Sequence, residues 1–477
     1  MYAMICRLLI VAVSLTLTTC TTLQPYRDAS IPDTPIKFSN VPKELPDSIK
    51  RQMWEHYEHP EFYLTTIEFS ENGHLFHPKE AFEVLDRVKA IAGESGATIV
   101  VFVHGWHHNG DFIDPNQVSL RGVLGNLADL QDKTFAIGQQ KFRHQIGQDL
   151  AARPPLIGIS LSWRGESSTN PVLTWLSFFD RKIDAHIVGG KSFLGLYHID
   201  DARRVISRLD ADYRDLNAHK KLTSLTFVGH SFGAALLFSA TEDTFKQQLL
   251  QEHVAEVNTM RQFEVKQASA PIPLIKGVGD AVILINPAFE ARRYRAFGRL
   301  TEGNYSFDRR QTPKLIIFSS DGDSANRFAF PFGRYLSNAL WIPSWFQWSQ
   351  RTTALGFYRA DQTHWLHLRC EPAFDCSDNP LNWGFDLVDA AHLDRVMQAP
   401  ADFDVSRDAD YGRFQLDLKD QRKDLAHTPF IVARTTHKLV PRHSTIFNAP
   451  FDNFIAKFIA ELDLQNLKIR AMEYQGR

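Results

Sequence analysis

Cysteine is scarce in this chain. Four occur in 477 residues, at Cys6, Cys20, Cys370 and Cys376, so disulfides are a local feature at most and a thiol-ligated metal centre lacks ligands. An excess of one charge is lacking too. Lys and Arg number 53 against 55 Asp and Glu, a net charge of -2, with no basic excess for nucleic acid and no acidic block typical of a disordered tail. There is no internal repeat and no low-complexity tract. The apolar run Leu8 to Leu17 is too short to span a bilayer as a mature helix. What remains is ordinary for a globular chain: 44% hydrophobic and 23% charged residues, with 35 Phe and 9 Trp for a large core and some apolar surface. The length suits one large domain with insertions, or two domains.

The N-terminus has the form of a targeting segment. Arg7 precedes the apolar run, which closes on Leu17-Thr18-Thr19-Cys20. The segment reads as a signal peptide over 1–19, with 20–55 as a polar, Pro-containing tether and 56–477 as the folded domain. Leu17 to Cys20 resembles a bacterial lipobox, with Thr19 where Gly, Ala or Ser is usual. The resemblance implies lipidation at Cys20, export and a membrane anchor in a bacterial cell envelope. A plain secretory signal with an incidental Cys20 is the alternative. Cys370 and Cys376, separated by five residues, are expected to pair with each other in an exported protein.

Six apolar, β-branched runs recur along the chain: Thr98–Val103, Leu156–Leu161, Leu225–Val228, Ala281–Ile285, Leu315–Phe318 and Phe430–Ala433. Runs of this kind suit strands buried on both faces. They alternate with helical stretches at Pro78–Ala92, His198–Leu216, Ala234–Gln262 and Phe451–Leu462, which predicts a doubly wound α/β domain with a mostly parallel sheet. Phe62–Phe69 reads as an antiparallel edge strand. Two stretches break the alternation: the polar segment Asp111–Arg153, and about 324–427, rich in Trp, Pro and Phe, which reads as a cap or lid.

Gly229-His230-Ser231-Phe232-Gly233 follows the third of these runs and opens a helix. That is the sequence form of a nucleophile elbow, in which a sharp turn lifts a serine hydroxyl clear of the sheet. The first run ends in His104-Gly105-Trp106, where a tight turn can aim a backbone N–H at a developing oxyanion. Trp106 and Phe232 are the expected donors. A triad acid is expected after the strand at 315–318, as Asp323 with Asp321 the alternative. The base is expected between the last strand and last helix, as His443 with His437 the alternative. The order Ser231, Asp323, His443 is that of α/β-hydrolases.

On these residues the chain resembles the α/β-hydrolase superfamily. More narrowly, it is similar to bacterial and fungal hydrolases carrying a His-Gly-Trp-x-His-Asn segment, here His104 to Asn109. Those also carry Ser-Trp-Arg-Gly, here Ser162 to Gly165, and Asp-Arg-Lys followed by Ala-His, here Asp180–Lys182 and Ala185-His186. The resemblance implies an α/β-hydrolase fold with a long insertion, and an esterase- or lipase-like activity through an acyl-enzyme. The substrate class is a small-molecule or lipid-like ester, with no cofactor. His104, Gly105 and His230 are candidate substrate contacts. A catalytically silent scaffold that binds a partner, or an amidase or peptidase using the same triad, are the alternatives.

His104, His107 and His108 lie near Asp111 and Asp114, but His104 already serves the oxyanion turn and no second ligand set is evident, so no metal is expected. Trp341 to Trp348 is the densest aromatic stretch, either a lid over lipid-like groups or the core of the cap. Arg164, past a strand end, is a candidate contact for an anionic substrate group.

Overall fold

The computed structural model describes residues 24–38, 45–135, 144, 147, 150, 152–165, 178–190, 201–262, 274–302, 307–308, 310–332, 345–368, 414–419 and 427–474. The expected signal peptide (1–19), Cys20, Cys370, Cys376 and Trp341 to Ser344 lie outside these residues.

Eleven strands form one sheet. They are β1 (Pro35–Lys37), β2 (Trp54–Glu58), β3 (Phe62–Glu68), β4 (Thr98–Val103), β5 (Leu156–Ser162), β6 (Ser224–His230), β7 (Ala281–Ile285), β8 (Leu315–Ser320), β9 (His364–Leu368), β10 (Phe414–Leu418) and β11 (Phe430–Thr435). Their order is β1-β2-β3-β5-β4-β6-β7-β8-β11-β9-β10. From β3 across to β9 neighbouring strands run parallel, while β2 is antiparallel to β3 and β10 to β9. Central strands of such a sheet face helices on both sides, which is why β5, β6, β7, β8 and β11 are buried at every position.

The longer helices among the described residues are α1 (Pro78–Ser95), α2 (Pro115–Thr134), α3 (Phe178–Val188), α4 (Asp201–Ala218), α5 (Phe232–Gln262), α6 (Ala291–Glu302), α7 (Trp345–Thr352) and α8 (Ala449–Tyr474). Alternate strand residues serve two cores. Val101 and Val103 pack with α1, α4, α5 and α6 on one face. Val100 and Phe102 pack with Leu120, Leu124 and Leu127 of α2 and Phe451, Phe454 and Phe458 of α8 on the other. Phe318 receives Phe454 and Phe458 edge-on at 5.3 and 5.7 Å, the aromatic geometry that adds to area burial. Among the described residues no helix is long and apolar enough to cross a membrane.

Several expectations need correction. Phe62–Glu68 is no edge strand, because β1 and β2 extend the sheet beyond it. The stretch 20–55 is not wholly a tether. Ile36 is buried in β1, and Arg27 is 1% exposed, bonding Glu55 at 3.0 Å, the Gly110 carbonyl at 2.8 Å and the Lys50 carbonyl at 2.8 Å. Arg121 grips the same Glu55 at 2.8 Å. Burial alone would raise the Glu55 carboxyl, but the Arg121 and Arg27 guanidiniums outweigh it and hold it below the usual range. The segment 324–427 is not a cap throughout, since β9 and β10 continue the main sheet. The polar stretch after β4 contains α2, started by Asp114, whose side chain accepts from the Asn116 N–H, with Pro115 in the first turn.

The chain runs β4, then β5 on one side, then β6 on the other. Successive crossovers therefore diverge between β4 and β6 and leave a crevice at their carboxyl ends, the place where open α/β sheets bind ligands. His104 and Ser231 each lie within one residue of those ends.

Candidate active site

Ser231 is the single residue between β6 and α5. Its φ is 55°, a left-handed conformation costing about 1–2 kcal/mol for a side chain with a Cβ. The surroundings enforce it. The Ser231 N–H donates to the Ile285 carbonyl at 3.0 Å, and its carbonyl accepts from the N–H groups of Ala235 and Ala288, each at 3.2 Å. The turn also needs bare neighbours. A Cβ at Gly229 would stand 2.8 Å from the Ala234 Cα, and one at Gly233 would stand 2.2 Å from the Val103 carbonyl oxygen. Without glycine there, α5 could not sit against β4.

Three side chains from three strand ends meet at this turn. Ser231 Oγ lies 2.6 Å from His443 Nε2. His443 Nδ1 lies 2.8 Å from Asp323 Oδ2. Asp323 is fully buried, and a buried carboxyl needs donors. It also accepts from the Asn326 N–H at Oδ1 and from Asn326 Nδ2 at Oδ2, both at 2.9 Å. With Nδ1–H given to Asp323, Nε2 is left as the acceptor for the serine hydroxyl. The turn carrying Asp323 and the loop carrying His443 are fitted closely: Ser320 Oγ donates to the Val440 carbonyl at 2.6 Å, and a Cβ at Gly322 would stand 2.3 Å from the Pro441 carbonyl oxygen.

The alternatives are placed elsewhere. Asp321 is half-exposed and paired with Arg434, and His437 is exposed on the turn after β11. Arg164 is buried, bonding the Gln24 carbonyl and lying 5.2 Å from the Tyr26 ring; it fastens the N-terminal segment. Among the described residues no three His, Cys, Asp or Glu side chains gather as a metal site.

His104 and His230, expected near substrate, are buried and bonded within the protein. His104 is fully buried. Its Nε2 accepts from the Trp163 N–H at 3.2 Å, so Nδ1 carries the proton and donates to the Gly105 carbonyl at 3.0 Å. Burial, first, lowers its pKa to about 4 and keeps it neutral. Trp163 stacks on the His104 ring and gives its indole N–H to the His104 carbonyl at 2.9 Å. The Gly105–Trp106 peptide is planar and trans, so fixing the Gly105 carbonyl points the Trp106 N–H the opposite way. Gly105 faces Ser231, and a Cβ there would stand 3.0 Å from the Ser231 Cβ. Gly165 closes over the same carbonyl, where a Cβ would meet the oxygen at 2.7 Å. The His104–Asn109 and Ser162–Gly165 segments are thus one structural unit.

Two residues that sequence reasoning did not single out complete the site. Asn286 follows β7 with a φ of 46°. Its Oδ1 accepts from the Ser320 N–H at 3.0 Å, and its Nδ2 donates to the His443 carbonyl at 3.3 Å. Asn326 reaches from Asp323 back to the Asn286 carbonyl at 2.9 Å. The only sequence signal is the pair Asn286-Pro287 directly after a buried strand. Comparison of the chain with protein-family models, with curated proteins and with solved structures finds no match.

Proposed function

We propose that this chain is a serine hydrolase of the α/β-hydrolase type, cleaving a carboxylic ester of a small-molecule or lipid-like substrate. The observation that carries the reading is the continuous relay from Ser231 Oγ through His443 to buried Asp323, at 2.6 and 2.8 Å, set at the crevice between β4 and β6. His443 takes the Ser231 proton as the hydroxyl attacks the acyl carbonyl. Asp323 keeps the imidazole in its Nδ1–H form and stabilises the imidazolium. The Phe232 N–H, in the first turn of α5, and the Trp106 N–H serve as oxyanion donors, each contributing about 10²–10³ in rate. An acyl-enzyme forms and water releases it. An anchor at Cys20 would hold the enzyme at a membrane.

The test is labelling by a fluorophosphonate probe. Wild type is expected to label and Ser231→Ala to stay blank; equal labelling of both overturns the reading. Turnover of p-nitrophenyl esters of increasing chain length, against matched amides, then separates esterase from amidase.

A further inference from the structure

His443 sits on the loop 436–448 between β11 and α8, and several neighbours on that loop are exposed. Its ring is held at both ends, by Ser231 and by Asp323. The bond to Ser231 cannot define its position through a reaction, because it is the one that breaks and re-forms. Asp323 orients the ring, and the site contains a further restraint, on the backbone of His443 and outside the proton transfer. The His443 carbonyl accepts from His230 Nε2 at 2.9 Å and from Asn286 Nδ2 at 3.3 Å. A carbonyl oxygen has two lone pairs, and both are used.

We propose that His230 and Asn286 are positioning residues for the base, clamping His443 by its backbone carbonyl and thereby tying it to the nucleophile turn and to the end of β7. This rests on the reading of His443 as the base. His230 is the immediate neighbour of Ser231, so one rigid step links nucleophile to clamp. The orientation of the Asn286 amide is set by the Ser320 N–H, which requires Oδ1 on its side and turns Nδ2 to His443.

The protonation state of His230 fits the role. It is 3% exposed, and burial, first, with the neighbouring His443 second, pushes its pKa well below the ordinary value. The ring therefore stays neutral with its one proton on Nε2, facing the His443 carbonyl. Its centroid lies 5.3 Å from that of His443. A permanent cation there would oppose the imidazolium that forms on His443 during attack, so a neutral donor is the form compatible with catalysis.

The test uses His230→Leu, His230→Gln and Asn286→Asp in the whole chain, with melting temperature as a control on folding. His230→Gln retains a donor near the Nε2 position. Asn286→Asp is isosteric, keeps the acceptor for Ser320 and removes the donor to His443. The first readout is the downfield proton resonance of His443 Nδ1–H, assigned by its loss in His443→Ala. The second is the split between kcat and KM on a p-nitrophenyl ester. His230→Leu and Asn286→Asp are expected to broaden the resonance and lower kcat about 10–100-fold, with KM within about twofold, as misplacement of a reacting group by an ångström does. His230→Gln should restore most of both. An unchanged resonance and kcat in folded His230→Leu and Asn286→Asp overturn the clamp. If Ser231→Ala labels like wild type, the hydrolase reading fails separately, and the resonance still decides whether the clamp exists.

Discussion

Gly105 lies directly against Ser231: a methyl group added there would stand 3.0 Å from the Ser231 Cβ and 2.9 Å from His230 Nδ1. Neither neighbour can retreat, since Ser231 is pinned by three backbone hydrogen bonds and His230 by the His443 carbonyl. Gly105→Ala is therefore expected to push the oxyanion turn away from the serine. The labelling rate with a fluorophosphonate should fall about 10²–10³-fold, as when one oxyanion donor is lost. The overpacking should cost about 1–3 kcal/mol in urea unfolding. A labelling rate within a factor of three of wild type would remove Gly105 from the site.

The two carboxyls of the Asp321-Gly322-Asp323 turn should separate cleanly by mutation. Asp323→Asn turns an amide N–H toward Asn326 or His443, both of which are donors, and spoils the imidazole tautomer. A loss of about 10⁴ in kcat is expected. Asp321→Asn removes the partner of buried Arg434 and should lower stability, yet it should leave ester turnover within a few fold, because His443 bonds Asp323 instead. Measuring kcat for both variants decides the acid.

Buried His104 makes stability depend on pH. Its folded pKa is depressed to about 4, below the ordinary 6.5. The unfolded chain thus binds a proton that the folded chain refuses, and the contribution present above pH 6.5 is lost as pH falls toward 4. The full loss is on the order of 3 kcal/mol. His104→Gln should flatten the fall in urea midpoint over that window; an unchanged slope counts against a neutral His104.

The cluster of Arg27, Glu55 and Arg121 predicts a large response to a small change. Glu55→Gln keeps the shape but leaves two guanidiniums buried without their carboxylate. Removing one partner of a buried pair costs about 3–5 kcal/mol. Equilibrium unfolding should show that loss, and residues before Lys37 should become sensitive to protease.

Much of the central sheet was legible because its strands are buried on both faces and read as continuous apolar runs. Thr98–Val103 and Ala281–Ile285 match residue for residue. The outer strands were not. Phe414-Gln-Leu-Asp-Leu alternates apolar and polar residues, as a half-covered hairpin strand does, and inside a long Trp- and Pro-rich stretch that pattern is easily passed over. Helix α2 was hidden by Gly122 and Gly125, the second of which lets the Phe38 ring lie where a Cβ would come within 2.8 Å of it. Ser231, Asp323 and His443, which the structure brings together, could be named as a set because strand ends and chain order constrain them. Asn286 and Asn326 were missed because their roles depend on which loops meet in space, and an isolated Asn after a strand carries no such information.

The hydrogen bonds of the relay span 212 and 120 residues of chain. Residue 443 lies in the final tenth of the sequence, beside the last helix. A fragment that ends before residue 443 lacks the middle member of the relay. The relay can close only after the segment carrying His443 has docked against the turn at Ser231 and the loop at Asp323. A nascent chain would therefore hold the Ser231 hydroxyl without its imidazole partner until that late segment has folded.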